Sequence, residues 1–179
     1  MSKLAFLKSP SWWRHQLGFL LLLFCLAQAI AWWQGRSVAR GAAPNFALPL
    51  ALPVQGQNAI SLDAWRGQHN GRPVVLYFWA EWCPICKVQQ GAINDLMRDT
   101  PVLTIATQSG DVAAVKKALI ARQLPWLTAV DERGALWRSY GLSGVPTTIV
   151  LDAKGNIASV SVGYTSVWML RFKLWWASK

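Results

Sequence analysis

Two cysteines separated by two residues, Cys83-Pro84-Ile85-Cys86, are the side chains of this sequence best equipped for chemistry. They follow an apolar run, Val74-Val75-Leu76-Tyr77-Phe78-Trp79, and a short turn, Ala80-Glu81-Trp82, and they open what reads as a helix. At this spacing the thiols stand one helical turn apart, close enough to form a small disulfide. Cys83 falls at the helix N-terminus, where unpaired N–H groups favour a thiolate. An accessible attacking thiol of lowered pKa with a resolving thiol behind it is the equipment of thiol–disulfide exchange. Zinc sites also use CxxC pairs, so the rest of the chain must discriminate.

Cysteine and charge usage do part of that work. Of three cysteines in 179 residues, Cys25 lies in an apolar stretch, so Cys83 and Cys86 are the pair of the folded part. A disulfide scaffold needs more cysteines. A four-ligand zinc site would find only His69 beyond the two thiols. A redox pair needs no metal or organic cofactor other than the Cys83–Cys86 disulfide itself. The formal net charge is +10, but all eight acids lie at or after Asp63, and Lys3, Lys8, Arg14, Arg36 and Arg40 flank one apolar stretch. From residue 45 onward, 13 basic and 8 acidic residues leave +5. No basic helix or basic–aromatic repeat is present, so nucleic acid is not expected as a partner.

Hydrophobic residues make up 53% of the chain, and the mean hydropathy of +0.23 points to a membrane segment. Residues 1–16 are basic and without acids. Residues 17–33 carry no charge and have the minimum length for a spanning helix. Trp12-Trp13 and Trp32-Trp33 bracket them like interfacial aromatic belts. Three cations before the stretch and two after favour an N-terminus on the cytoplasmic side. A cleaved signal peptide is the rival, since Ala27-Gln28-Ala29 has the small-x-small form. The bulky Trp32-Trp33 favours an uncleaved anchor, and either reading exports the rest. Residues 34–44 read as a linker and residues 45–179 as the folded domain.

Within that domain, residues 46–60 suggest a β-hairpin or extended arm. Residues 61–67 read as a short helical turn capped by Ser61. Val74–Trp79 is the continuous apolar run of a strand buried on both faces in a mainly parallel sheet. Pro84 suits the first helical turn. Ile85, Val88, Ala92 and Leu96 recur at helical spacing and are expected to face the sheet. A second buried strand is expected over 102–106, a helix capped by Asp111 with Val112, Val115 and Leu119 on one face, and a short strand over 126–130. A short helix over 135–140 follows. A hairpin comes next, with strands 146–151 and 157–162 around the turn 152–156, and then a last helix over 167–177 capped by Ser166.

Strand, CxxC, helix, strand, helix, then a proline-led strand with a final hairpin and helix resembles the thioredoxin fold, an α/β architecture with a central mixed sheet flanked by helices. Phe78-Trp79-Ala80-Glu81-Trp82-Cys83-x-x-Cys86-Lys87 is very close to the thioredoxin active-site signature, and Gly144-Val145-Pro146-Thr147-Thr148 matches the stretch holding that family's cis-proline. The N-terminal β extension and the preceding transmembrane segment are more similar to the membrane-anchored TlpA/ResA/DsbE group. Within it, the short anchor, the Cys-Pro-x-Cys pair and Gly163-Tyr164-Thr165-Ser166 are similar to the suppressor-of-copper-sensitivity protein D type.

The resemblance implies a membrane-tethered thiol–disulfide oxidoreductase of the bacterial inner membrane, single-pass, with its catalytic domain in the periplasm. The function it implies is periplasmic redox or copper-stress homeostasis. Cys83 would be the nucleophile, Cys86 the resolving thiol and Pro146 the cis-proline. Val145 would offer backbone hydrogen bonds to a bound partner, and Trp82, Pro84 and Ile85 would frame the substrate. Partners would be protein thiols and disulfides, including a membrane thiol–disulfide electron donor or acceptor. Two positions depart from the family: Tyr77 stands where thioredoxin has a buried aspartate, and Gln89 where cytochrome-maturation members carry a glutamate. Glu81 matches an exposed position of the family. Ile85 cannot stabilise a thiolate as a histidine there would, so the potential should lie below that of the strongest oxidants. A copper-binding or delivery module is one rival, since soft thiolates suit Cu(I), though no methionine or histidine lies near the pair. A thiol peroxidase is another, and it needs a Thr and Arg arrangement around one cysteine.

Overall fold

Residues 15–23, 25, 26, 39, 41–69 and 71–179 are described by the computed structural model, and the chain divides into two units, Met1–Arg36 and Ser37–Lys179. In the first, residues 15–23 and 25–26 are helical (α1) and exposed. Among the described residues no helix is long and apolar enough to cross a membrane. The remainder of the expected anchor 17–33, like residues 1–14 and 34–38, lies outside them.

The second unit opens with the expected arm. β1 (Ala47–Val54) and β2 (Gln57–Ser61) pair antiparallel around Gln55-Gly56, both at positive φ. Ser61 Oγ accepts the Ala64 N–H and starts α2 (Leu62–Gly67). β3 (Val74–Trp79) is buried at all six residues, as the unbroken apolar run requires. Cys83 caps α3 (Pro84–Leu96), with Pro84 in its first turn. β4 (Val102–Thr107), α4 (Val112–Ala121, capped by Asp111), β5 (Thr128–Asp131) and α5 (Ala135–Ser139) follow. β6 (Thr147–Leu151), β7 (Ile157–Val162) and α6 (Val167–Ala177, capped by Ser166) complete the unit.

The seven strands form one sheet in the order β2-β1-β5-β4-β3-β6-β7. β3, β4 and β5 are parallel, whereas the pairings of β1, β6 and β7 are antiparallel. The sheet is therefore mixed, not mainly parallel, because hairpins supply both flanks. β3 divides the core by its alternation. Val75, Tyr77 and Trp79 join a cluster with Ile93, Leu96, Val115, Leu119 and Leu170 of α3, α4 and α6. Val74, Leu76 and Phe78 join the opposite cluster with Leu62, Trp65 and Leu136 of α2 and α5. Each such side chain contributes roughly 1.5–3 kcal/mol by leaving water.

Two expectations need correction. The inward face of α3 is Cys86, Gln89, Ile93 and Leu96, not 85/88/92/96: Ile85 and Val88 are exposed. The 86/89/93/96 stripe wins because the polar group of Gln89 is fully satisfied inside. The folded unit also begins before residue 45. Ala39 N–H donates to the Tyr140 carbonyl, Ala43 N–H to that of Gly155, and Ile157 N–H to that of Gly41, with Ala42 bridged to Asn156. Part of the expected linker thus extends the sheet edge.

The turn that receives it is organised by Asp152. Its Oδ1 accepts the N–H groups of Lys154 and Asn156 at 2.9 and 2.8 Å, and Oδ2 accepts Asn156 Nδ2 at 3.1 Å. Desolvation pushes this carboxyl up, but the hydrogen bonds from Asn156, Lys154 and Gly155 outweigh it and hold the pKa below its ordinary value. The depressed pKa makes the turn's contribution present above the unfolded value and lost as pH falls through the folded one. Asp152→Ala is expected to speed amide hydrogen exchange at Ala43 and Ile157 at pH 7 while leaving the amides of β3 protected. Unchanged exchange at both amides would count against this role for the turn.

Candidate redox site

Topology brings the two halves of the site together. β3 runs toward Cys83, and β6 runs antiparallel to it with Phe78 opposite Thr147. The end of β3 and the start of β6 therefore share one edge, where chain reversals place Cys83 beside Val145-Pro146. The Val145–Pro146 peptide is cis. Cys83 and Cys86 form a disulfide with Cα atoms 5.3 Å apart. Cys83 Sγ accepts the Cys86 N–H at 3.1 Å and lies 3.5 Å from the Val145 carbonyl oxygen. On reduction these neighbours pull in opposite directions: the helix-end N–H favours the thiolate, and the carbonyl accepts a hydrogen bond from the thiol.

Cys83 is less accessible than the spacing alone suggests. Cys83 keeps 3% of its surface exposed and Cys86 1%. Around them the rim is open and apolar, with Trp82, Pro84, Ile85 and Val88 all exposed. Trp82 is exposed, and its indole N–H donates to the Gln108 carbonyl at 3.0 Å. The turn leading to the thiols is tied down nearby. Glu81 N–H donates to Ser109 Oγ at 3.0 Å, and Arg122 donates to the Glu81 carbonyl at 3.2 Å and pairs with its carboxylate. Glu81 is thus half-buried and paired, not a freely solvated acid.

A third element closes the frame, linking Gln89 to the Gly163–Ser166 segment, two features that the sequence showed separately and without their contact. Gln89, fully buried, donates from Nε2 to the Thr165 carbonyl at 2.7 Å and accepts the Thr165 N–H on Oε1 at 2.8 Å. Gly163 N–H donates to the Pro146 carbonyl at 2.8 Å. Helix α3, the 163–165 loop and the proline strand are joined in sequence, from the thiols to the residue facing them. The detectable signal was a glutamine three residues after a buried cysteine on one helical face. Tyr77 occupies the apolar cluster that also contains Cys86. Its hydroxyl is buried without a partner, and burial pushes its pKa up, so it is neutral at physiological pH. His69 packs edge-on against Trp65 at 4.9 Å. Among the described residues no group of three or more His, Cys, Asp and Glu side chains is placed to hold a metal ion.

This arrangement has close counterparts. A thioredoxin-like protein of Haemophilus influenzae is 34% identical over 125 residues, covering 69% of this chain and 72% of the relative. The thiol:disulfide interchange protein DsbE of Pseudomonas fluorescens is 32% identical over 121 residues, covering 67% of this chain and 64% of the relative. A solved structure of a DsbE-type thiol:disulfide interchange protein from Chlorobium tepidum superimposes with a TM-score of 0.66 at 25% identity, covering 79% of this chain and 99% of that one. The fold is therefore the thioredoxin fold expected from the motifs. Residues 39–160 match the AhpC/TSA family, and the chain belongs to that family as a thioredoxin-like thiol–disulfide oxidoreductase.

Proposed function

We propose that the chain is a membrane-tethered oxidoreductase whose domain works in the periplasm, exchanging electrons between partner proteins and a membrane thiol–disulfide donor or acceptor. The observation that carries the chemistry is the Cys83–Cys86 disulfide at the head of α3, with Cys83 against the Val145 carbonyl. The uncharged stretch 17–33 between basic flanks supports the tether. The periplasmic redox or copper-stress role rests on the likeness to the suppressor-of-copper-sensitivity D type.

In the reducing direction, the Cys83 thiolate attacks one sulfur of a partner disulfide. A mixed disulfide forms, and the partner's other sulfur leaves as a thiolate that takes a proton. The Cys86 thiolate then attacks Cys83 Sγ, closing the Cys83–Cys86 disulfide and releasing the second partner thiol. Two electrons move to the partner, and the same steps reversed oxidise a dithiol. Pro146 and the Val145 backbone line the partner strand's seat, and Trp82, Pro84 and Ile85 form its rim. The hydrogen-bonding neighbours of Cys83 Sγ are Cys86 N–H and Val145 O, not the Thr and Arg that a thiol peroxidase uses.

The test uses the resolving cysteine. A full-length Cys86→Ser chain expressed in bacteria is expected to accumulate mixed disulfides with other proteins. These should pellet with alkaline-washed membranes and be digested by protease added to intact spheroplasts. Adducts that wash off, or that resist protease until the cells are lysed, would refute the tethered, periplasmic reading.

A further inference from the structure

Helix α6 is apolar on two opposite faces. Leu170 is buried, and Val167, Leu174 and Ala177 pack against the same core cluster. On the outer face stand Trp168, Met169, Phe172, Trp175 and Trp176, each about half exposed or more, up to 77% at Trp168. Their spacing of three, four and seven residues makes them one continuous stripe. The stripe is pre-assembled: Phe172 and Trp175 have ring centroids 6.0 Å apart, Trp175 and Trp176 6.3 Å. Lys179 Nζ lies 4.9 Å from the Trp175 ring. A cleft of about 380 Å³ opens beside it, lined by Ala158, Ser159, Phe172, Lys173 and Trp176. A water-facing aromatic stripe of this size needs a reason, since folding does not supply one.

The position of the stripe supplies it. Leu151 pairs with Val74 at the beginning of β3, so the 152–156 turn lies at the end of the sheet opposite Cys83. That turn receives Gly41–Ala43, where the chain enters from its N-terminal side. The C-terminal half of α6 lies at this same end: Trp175 borders Arg72, Pro73, Thr100 and Pro101, which lead into β3 and β4, and Trp176 borders the first residues of β7. Six peptide steps separate Trp33, the last residue of the apolar stretch, from the docked Ala39, and they span about 20 Å at most. Lys179, beside the Trp175 ring, is the cation of this segment that is placed to meet an anionic surface.

The geometry points to the Trp168–Trp176 face of α6 as an interfacial membrane-binding surface that rests the domain on phospholipid headgroups. Tryptophan and phenylalanine with a nearby lysine are the side chains that partition into the headgroup boundary. The occupant is a bilayer surface, and its being within reach rests on the tethered reading above. Arg171 and Lys173 are not the lipid-facing cations: Arg171 pairs with Asp99, and Lys173 donates to Val160 O and Ser161 Oγ.

The experiment reads two tryptophans out of twelve. Full-length wild type and Trp175→Phe/Trp176→Phe are reconstituted into phospholipid vesicles, and the variant's emission is subtracted from that of the wild type. The variant keeps the stripe apolar, and retained disulfide exchange shows that it is folded. The difference emission is expected to fall by at least half in brominated-phospholipid vesicles and to resist aqueous iodide. Difference emission that iodide quenches and brominated lipid leaves unchanged overturns the proposal. An alkaline wash of the same vesicles reports separately on the tether: a chain that washes off refutes anchoring, while the quenching measured beforehand still decides the stripe.

Discussion

Cys83→Ser is expected to reduce insulin-disulfide turnover by at least about a thousandfold, to the rate of buffer and reductant alone, as removal of a covalent nucleophile does elsewhere. The reason is chemical and not structural. Cys83 is the N-cap of α3, with its sulfur accepting the Cys86 N–H. Serine is among the preferred N-cap residues and its hydroxyl accepts the same bond, so the helix keeps its start. The smaller oxygen also fits at a residue that is 3% exposed. What is lost is a polarisable anion formed near neutral pH: a serine hydroxyl stays protonated and does not open a disulfide. Far-ultraviolet circular dichroism and the urea midpoint should match those of the reduced wild type. A variant that retains a tenth or more of wild-type turnover would remove Cys83 from the mechanism.

How much of this was legible in the sequence depends on the range of the interaction. Local signals carried far. The unbroken run Val74–Trp79, Pro84 after a capping cysteine, and the caps Ser61, Asp111 and Ser166 each act within a few residues, and each element appears where its signal lies. Gly144-Val145-Pro146-Thr147 was readable as the strand facing the thiols because the motif is contiguous. Interactions that close over long separations were not readable. Gln89 and Thr165 are 76 residues apart, so the partner that lets a glutamine be the buried member of α3, with Val88 exposed, could not be read from the residues around Gln89. The Glu81–Arg122 pair and the docking of Gly41–Ala43 on the 152–156 turn have the same character. The tandem of Tyr77 and Gln89 was visible as a departure, but only burial shows its consequence. Both family carboxylate positions hold neutral groups, Tyr77 with its hydroxyl unpartnered and Gln89 with both amide atoms used. Proton release from Cys86 therefore has no buried carboxylate at either position to assist it.

Gln89 gives the second large effect, and two substitutions separate its possible contributions. Gln89→Leu keeps the volume but leaves the Thr165 N–H and carbonyl without partners in a buried site. Each orphaned group costs about 1–3 kcal/mol, so the variant should lose roughly 2–6 kcal/mol in equilibrium urea unfolding. The 163–165 loop carries the Gly163 N–H bonded to Pro146 O, so turnover should fall even where the variant is fully folded. Gln89→Glu behaves differently. One carboxyl oxygen can still accept the Thr165 N–H, but the other meets the Thr165 carbonyl oxygen, which Nε2 now approaches at 2.7 Å. Only the protonated acid can donate there. Burial and this carbonyl both favour the neutral form, so the folded pKa lies above the unfolded value of about 4.3. A raised folded pKa means that the stability contributed by the acid is fully present below the unfolded pKa and is lost as pH rises through the folded one. The urea midpoint of Gln89→Glu should thus be close to wild type at pH 4 and clearly lower at pH 8, relative to wild type at each pH. Gln89→Leu should show the same deficit at both. Equal pH dependence for the two variants would show that the amide merely fills space and does not bridge α3 to the strand facing the thiols.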